Sequence, residues 1–264
     1  MTDSTKYALI TGATSGIGYE LAKLFAKDKY NLVIVARNTA ELSSTATELQ
    51  QQYGIEVVTI AKDLFKRESP AEVYEEVKAK GIQIDVLVND AGQGQYGEFV
   101  ETDINRELDI IQLNIGSLVS LTKFFLQDMV ARGEGKILNL ASIASKLPGP
   151  LQSVYHGTKA FVYSFTQAIR SEVKDKGVVV TALLPGATDT DFFNKADMEE
   201  SKIVQESKLS DAADVAKDGY DALMSGDDKV VSGLKNKMMV GMSNVIPDSM
   251  VADNMHKQQE PVNK

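Results

Sequence analysis

Seven short apolar runs punctuate the chain: Y-A-L-I-T (Tyr7–Thr11), L-V-I-V-A (32–36), V-V-T-I-A (Val57–Ala61), V-L-V-N (Val86–Asn89), K-I-L-N-L-A-S (136–142), V-V-V-T-A-L-L (Val178–Leu184) and K-V-V-S (229–232). They are continuous rather than alternating and rich in Val, Ile and Leu, the pattern of strands covered on both faces in a parallel sheet. The spacers between them carry helical periodicity. Residues 105–132 place Leu108, Ile111, Ile115, Leu118 and Phe125 at three- and four-residue intervals on a broad apolar arc. Strand–helix alternation on this scale predicts an α/β fold, a doubly wound parallel sheet with helices on both faces and right-handed crossovers. No repeat or long linker divides the chain, so residues 1–251 are expected to form one domain. The polar stretch 252–264 is expected to fray as a tail.

Composition narrows the function. The 264 residues carry a formal charge of −9, which disfavours a nucleic-acid surface, because phosphate contacts need clustered Lys and Arg. Cysteine is absent and only two histidines occur, His156 and His256. Thiolate nucleophiles, disulfides and Cys-based zinc sites are excluded, and no metal site is expected. The N-terminal M-T-D-S-T-K leads directly into the first apolar run without a signal-peptide core. No apolar run approaches the ~18 residues of a membrane span. The expectation is a cytoplasmic protein with no membrane partner.

Between the first apolar run and a helical pattern lies T-G-A-T-S-G-I-G, residues 11–18. A strand passing through glycines into a helix start offers free backbone N–H groups and the positive end of a helix dipole to an anion. Gly12 permits the turn, Gly16 permits close approach of a pyrophosphate, and Gly18 permits close helix–sheet packing. Thr14, Ser15 and Ile17 fill the turn between them. In an open α/β sheet this is the place of a dinucleotide. The second run ends Ala36–Arg37–Asn38, without the acidic residue that commonly holds an unmodified ribose. Arg37 can instead pair with a 2′-phosphate, so NADP(H) is favoured over NAD(H); the other reading is a solvated surface arginine. Glu41 is expected inside the next helix, turned outward. Asp63, beside Leu64, would accept from an adenine amino group or cap the next segment. The fourth run ends N-D-A-G, so Asn89, Ala91 and Gly92 put small residues at the same sheet edge.

The stretch V-Y-H-G-T-K-A-F, residues 154–161, sets Tyr155 four residues before Lys159. On a helix these side chains share a face. An ammonium about 4 Å from a phenolate favours the charged form by roughly 4 kcal/mol at an effective dielectric near 20. That would bring a phenol from about 10 to near 7, suited to proton transfer at neutral pH. Ser142 ends the fifth run, and a loop back from Tyr155 would bring the two together. Gly157, between the pair, implies another surface passing close. Alone, Y-x-x-x-K also fits a solvated helix pair.

The ordered series T-G-x-x-x-G-I-G, N-x-A-G, a mid-helix asparagine, Ser142, Y-x-x-x-K and P-G-x-x-x-T resembles the classical short-chain dehydrogenase/reductase family from about Lys6 to Ser232. The resemblance implies a Rossmann-type fold of about seven parallel strands and hydride transfer between a nicotinamide and a carbonyl or alcohol. It implies Tyr155 as acid–base, Lys159 as its partner and ribose ligand, and Ser142 as the group that binds the substrate oxygen. Asn114 would hold a water in a proton relay, or else only satisfy backbone groups. Pro185, Gly186, Thr188 and Thr190 would line the nicotinamide. Homodimers or homotetramers would form through the helices carrying Asn114 and Tyr155. One departure is Asp90, where the family commonly has asparagine.

Substrate choice would then fall to residues 93–99, 145–153 and a mobile lid near 187–210. Leu147, Leu151, Phe192, Phe193 and Met198 are candidates for an apolar pocket. An uncharged, medium-sized carbonyl or alcohol suits them. Residues 234–251, with Met238, Met239, Met242 and Met250, read as packing, substrate wall, subunit contact or membrane-surface helix. Two rival functions are a lyase or epimerase, whose G-x-x-G-x-x-G and larger C-terminal domain this chain lacks, and a nucleotide-sensing protein without chemistry.

Overall fold

A computed structural model describes residues 6–243 and 246–262; residues 1–5, on which the signal-peptide reading rests, lie outside them. In chain order the elements are β1 (Tyr7–Thr11), α1 (Gly16–Lys27), β2 (Asn31–Ala36), α2 (Thr39–Tyr53), β3 (Val57–Ala61), α3 (Ser69–Ala79) and β4 (Val86–Asn89). Then follow α4 (Ile104–Ile111), a π-helical turn (Gln112–Ser117), α5 (Leu118–Arg132), β5 (Gly135–Leu140), a 3₁₀ turn (Ile143–Lys146), α6 (Ser153–Val173) and β6 (Val178–Leu184). The remainder is α7 (Phe192–Lys195), α8 (Lys202–Gln205), α9 (Ala212–Ser225), β7 (Lys229–Val231), α10 (Leu234–Ser243) and α11 (Asp248–Gln259).

Among the described residues the strands form one parallel seven-stranded sheet in the order β3-β2-β1-β4-β5-β6-β7. The alternation of strand side chains divides the interior in two. Ala8, Ile10, Leu32 and Ile34 pack against Leu21 and Phe25 of α1, Leu49 of α2 and Leu223 of α9. Leu9, Val33, Val35 and Leu87 pack against Val73 of α3, Phe125 of α5 and Ile169 of α6. This is the Rossmann-type doubly wound sheet expected from the continuous apolar runs. The order reverses between β1 and β4, so the chain leaves the sheet in opposite directions there and opens a crevice at the strand C-termini.

Two local expectations are corrected. Leu108 and Ile111 do not continue a buried arc; they are 54% and 38% exposed, while Glu107 and Ile110 are buried. The π-helical turn inserts an extra residue and changes the phase between α4 and α5. The stretch after residue 251 is not a frayed tail through its described part: α11 runs to Gln259 and buries Val251, Met255 and Gln259. Its apolar residues pack with Leu147 and Met239, an anchor that mean polarity conceals. Within 234–251, α10 leaves Met238 and Met242 exposed, while Asn236 donates to the Ser232 carbonyl at 2.7 Å. No helix among the described residues is long and apolar enough to cross a membrane.

Candidate active site

The glycine turn adopts the backbone its sequence requires. Gly12 and Gly16 sit at φ +74° and +57°, where other residues are strained. A Cβ on Gly12 would lie 2.9 Å from Asp90 Oδ2, and one on Gly16 would lie 2.9 Å from Thr190 Cγ2. Ser15 makes no side-chain cap on α1, leaving that helix start open toward the crevice. Thr11, the first residue of the glycine motif and given no role in the sequence reading, ties β1 to β4: its Oγ1 accepts from the backbone N–H groups of Asp90 and Ala91, each at 3.1 Å.

A cavity of 630 Å³ occupies the crevice. Of the sequence candidates it is lined by Gly12, Thr14, Ser15, Gly16, Ile17, Arg37, Asn38, Asp63, Leu64, Ala91 and Gly92. Ser142, Tyr155, Lys159, Pro185, Gly186, Thr188 and Thr190 line it as well. Gly18, Asn89 and Asn114 stand behind its wall. Asn89 Nδ2 donates to Thr122 Oγ1 at 3.0 Å and Asn139 Oδ1 at 2.9 Å, bracing the sheet beneath. Asn114 Nδ2 donates to the Gln93 carbonyl at 2.8 Å and Thr158 Oγ1 at 3.0 Å, and its Oδ1 accepts from Gln93 N at 3.0 Å.

Arg37 is exposed at the mouth with its guanidinium over the Phe65 ring, and it has no ion pair among the described residues. Asn38 caps α2 through the N–H groups of Ala40 and Glu41. Glu41 is not turned away: its carboxylate accepts from Asn38 Nδ2 at 2.7 Å and borders the cavity. The capping side chain draws it there. Asp63 accepts from Phe65 N at 3.2 Å, so it caps its own turn while facing the cavity.

Tyr155 and Lys159 lie one turn apart on α6, with the lysine Nζ 5.8 Å from the phenol ring centre. Ser142 starts the 3₁₀ turn; its Oγ accepts from Ala144 N at 3.1 Å and donates to the Pro185 carbonyl at 3.3 Å. Burial pushes the Tyr155 phenol up to about 12, opposed by a hydrogen bond from Ser142. This corrects the expected fall toward neutrality. The Lys159 ammonium donates instead to the Leu140 carbonyl at 2.7 Å and faces Asp90, so desolvation of the phenol prevails. The environment of Gly157 is corrected as well, since a Cβ there would meet nothing within 4 Å. Leu151 does not line the cavity; its backbone carbonyl accepts from Gly97 N at 2.9 Å. Leu147, Phe192, Phe193 and Met198 do line it.

Asp90 replaces the neutral amide expected at its position and is buried beside Lys159. Burial pushes its carboxyl up to about 7, while Lys159 and the Gly18 N–H oppose the rise. The folded chain therefore holds a proton that the unfolded chain releases between about pH 4 and 7. This contribution to stability is complete below that window and lost as pH rises through 7. Asp90→Asn should remove the dependence. The melting temperature of the variant minus that of the parent should become more positive between pH 4 and 8, and a flat difference would show that Asp90 titrates normally.

Sequence reasoning missed His156, Met255 and Gln259, which line the cavity, as do Gln93 and Gln152 from the loops expected to set substrate choice. Met255 and Gln259 arrive from a distant helix, and no local motif signals them. His156 follows Tyr155 in sequence, so the helical register around the pair could have found it. Among the described residues no cluster of His, Asp or Glu could hold a metal ion.

The fold and site thus define a doubly wound α/β protein with a serine, a tyrosine and a lysine gathered at a glycine-lined crevice. Residues 6–201 match the sequence profile of the short chain dehydrogenase family, and the chain belongs to that family. A curated relative, the very-long-chain 3-oxoacyl-CoA reductase of Anas platyrhynchos, is 36% identical over 68% of this chain and 58% of its own length. The chain thus spans less than two thirds of that relative. A short-chain dehydrogenase from Sphingobium yanoikuyae, solved in complex with NADPH, is 28% identical with a TM-score of 0.81, covering 94% of this chain and 99% of its own. The bulky-bulky ketone specific alcohol dehydrogenase from Comamonas testosteroni is 26% identical with a TM-score of 0.77, covering 94% and 98%.

Proposed function

We propose that the protein is an NADP(H)-dependent oxidoreductase that interconverts a carbonyl and an alcohol, with Tyr155 as the acid–base. The observation that carries this is the convergence of Tyr155, Lys159 and Ser142 at the sheet edge, on the cavity that also holds the glycine turn. The residues fit a dinucleotide. Side chains at Gly12 and Gly16 would close the cradle, the start of α1 is uncapped, and a Cβ on Gly92 would lie 3.4 Å from Lys159 Nζ. Gly12, Ser15 and Ile17 would hold the pyrophosphate, Asp63 and Leu64 the adenine, Lys159 the nicotinamide ribose, and Thr188 and Thr190 the carboxamide end.

Bound there, the reduced nicotinamide supplies a hydride to the carbonyl carbon. The chain supplies the proton. Ser142 Oγ orients the substrate oxygen, and the protonated Tyr155 hydroxyl donates its proton to that oxygen as the alcohol forms. A phenol held protonated through the physiological range is in the right state for reduction. Lys159 holds a positive charge near the tyrosinate left behind and favours its formation. Asn114 fixes Gln93 and Thr158, and so positions the helix that carries Tyr155. Exposed Ile104, Leu108 and Ile111 on α4 with Phe161 on α6 support a homodimer or homotetramer through those helices.

Absorbance of NADPH during incubation with a panel of ketones and aldehydes tests the activity, and no oxidation with any member would count against it. Arg37→Ala tests the cofactor. Loss of a charge-assisted contact should weaken NADPH by roughly 10- to 100-fold while changing NADH little. Equal loss for both would shift the assignment to the unphosphorylated cofactor, with Glu41 as the ribose partner.

A further inference from the structure

Beyond Tyr155, the cavity is walled mainly by apolar side chains, Leu147, Phe192, Met198 and Met255 among them. Asp191 and Lys195 also reach it, but they pair with each other at 2.7 Å, so this end presents no unpaired charge. Two residues that line it each carry a buried polar atom without a partner among the described residues: Gln152 Nε2, a donor, and Gln259 Oε1, an acceptor. The residues are 5% and 2% exposed.

The contacts of His156 set which end of the Gln259 amide is unmatched. The backbone carbonyl of Gln259 accepts from Tyr96 Oη at 2.5 Å, which pins the end of α11. His156 Nδ1 lies 2.7 Å from the Leu147 carbonyl, which can only accept, so Nδ1 carries the proton. In the neutral ring Nε2 is then an acceptor. It stands 3.3 Å from Gln259 Nε2, which donates to it. The amide is thereby oriented, and Oε1 is the end left over. Gln152 sits nearer the reacting group: a Cβ on Gly94 would lie 3.2 Å from Gln152 Nε2 and 3.5 Å from the Tyr155 ring.

We propose that Gln259 and Gln152 read a second functional group on the substrate, a hydroxyl or secondary amide on an otherwise apolar body, away from the carbonyl that is reduced. Either group both donates and accepts, matching the two orphaned atoms. An ionised carboxylate would face an acceptor with no free cation beside it, and a plain hydrocarbon ketone would leave both amides unmet. The proposal takes its reacting carbonyl from the function proposed above.

The test uses matched pairs: a cyclic ketone with and without a distal hydroxyl, and a 3-oxoacyl pantetheine thioester beside an amide-free 3-oxoacyl thioester. Calorimetry with the intact protein, with and without saturating NADP+, gives each affinity ratio. At least one pair should favour the hydroxyl or amide member by about tenfold or more, since a buried unmatched group forfeits roughly 5- to 150-fold. The responding pair identifies the source of the group. Gln259→Met and Gln152→Leu should each bring that ratio near one; they lie on different elements, so misfolding of one leaves the other informative. Ratios near one in the parent, or a ratio preserved in a folded variant, overturn the proposal. NADPH turnover is read separately: absence of reduction removes the reductase reading, while the binding ratios still decide the role of the glutamines.

Discussion

Replacing Tyr155 by phenylalanine is expected to lower kcat by about 10²- to 10⁴-fold while NADPH still binds. The substitution removes one hydroxyl and keeps the ring, whose packing against Phe192, with centres 5.0 Å apart, is preserved. No neighbour can take over the proton. Ser142, a weakly acidic aliphatic alcohol, serves to orient the substrate oxygen, and Lys159 donates to the Leu140 carbonyl at 2.7 Å. Stopped-flow turnover with fluorescence titration of NADPH separates chemistry from binding. An unchanged kcat would mean that the proton comes from elsewhere, and the proposed acid–base role would fall.

The second large effect is expected at Gly18, which does not touch the cavity. A Cβ there would collide with Asp90 Oδ2 and lie 2.5 Å from the Gly12 carbonyl oxygen. The latter is backbone and cannot swing away. Gly18→Ala should therefore force the glycine turn apart, lowering stability by about 1–3 kcal/mol and weakening nucleotide binding together with it. Gly157→Ala is the control, since its Cβ meets open space on an exposed helix face. Gain of helix propensity there is worth up to about 1 kcal/mol. Thermal unfolding of the two variants should move in opposite directions; a parent-like melting temperature and affinity in Gly18→Ala would show that the turn has slack.

Much of this molecule was legible before its coordinates. Continuous Val, Ile and Leu runs identify buried parallel strands because no alternating pattern can satisfy two covered faces. Glycines 12 and 16 and the Tyr155–Lys159 spacing point to one crevice because turn chemistry and helix geometry are local. What escaped was set by distance in sequence or by competition between forces. Met255 and Gln259 reach the cavity from α11, whose polar composition hides its few apolar anchors. The phenol of Tyr155 follows desolvation rather than its lysine, because the ammonium has better partners. Glu41 was misplaced because helix periodicity ignores the pull of a capping asparagine.

The π-helical turn at Gln112–Ser117 separates two demands on one continuous helical rod. Upstream, an oily stripe points outward; the turn itself fastens Asn114, and downstream the inward stripe joins the core. Without the inserted residue, any shift that suited one stripe would rotate the other by the same angle. With it, surface residues on the upstream half are free to drift toward new assembly states while the buried amide keeps its three bonds. Removing a single residue from that turn would couple the two again.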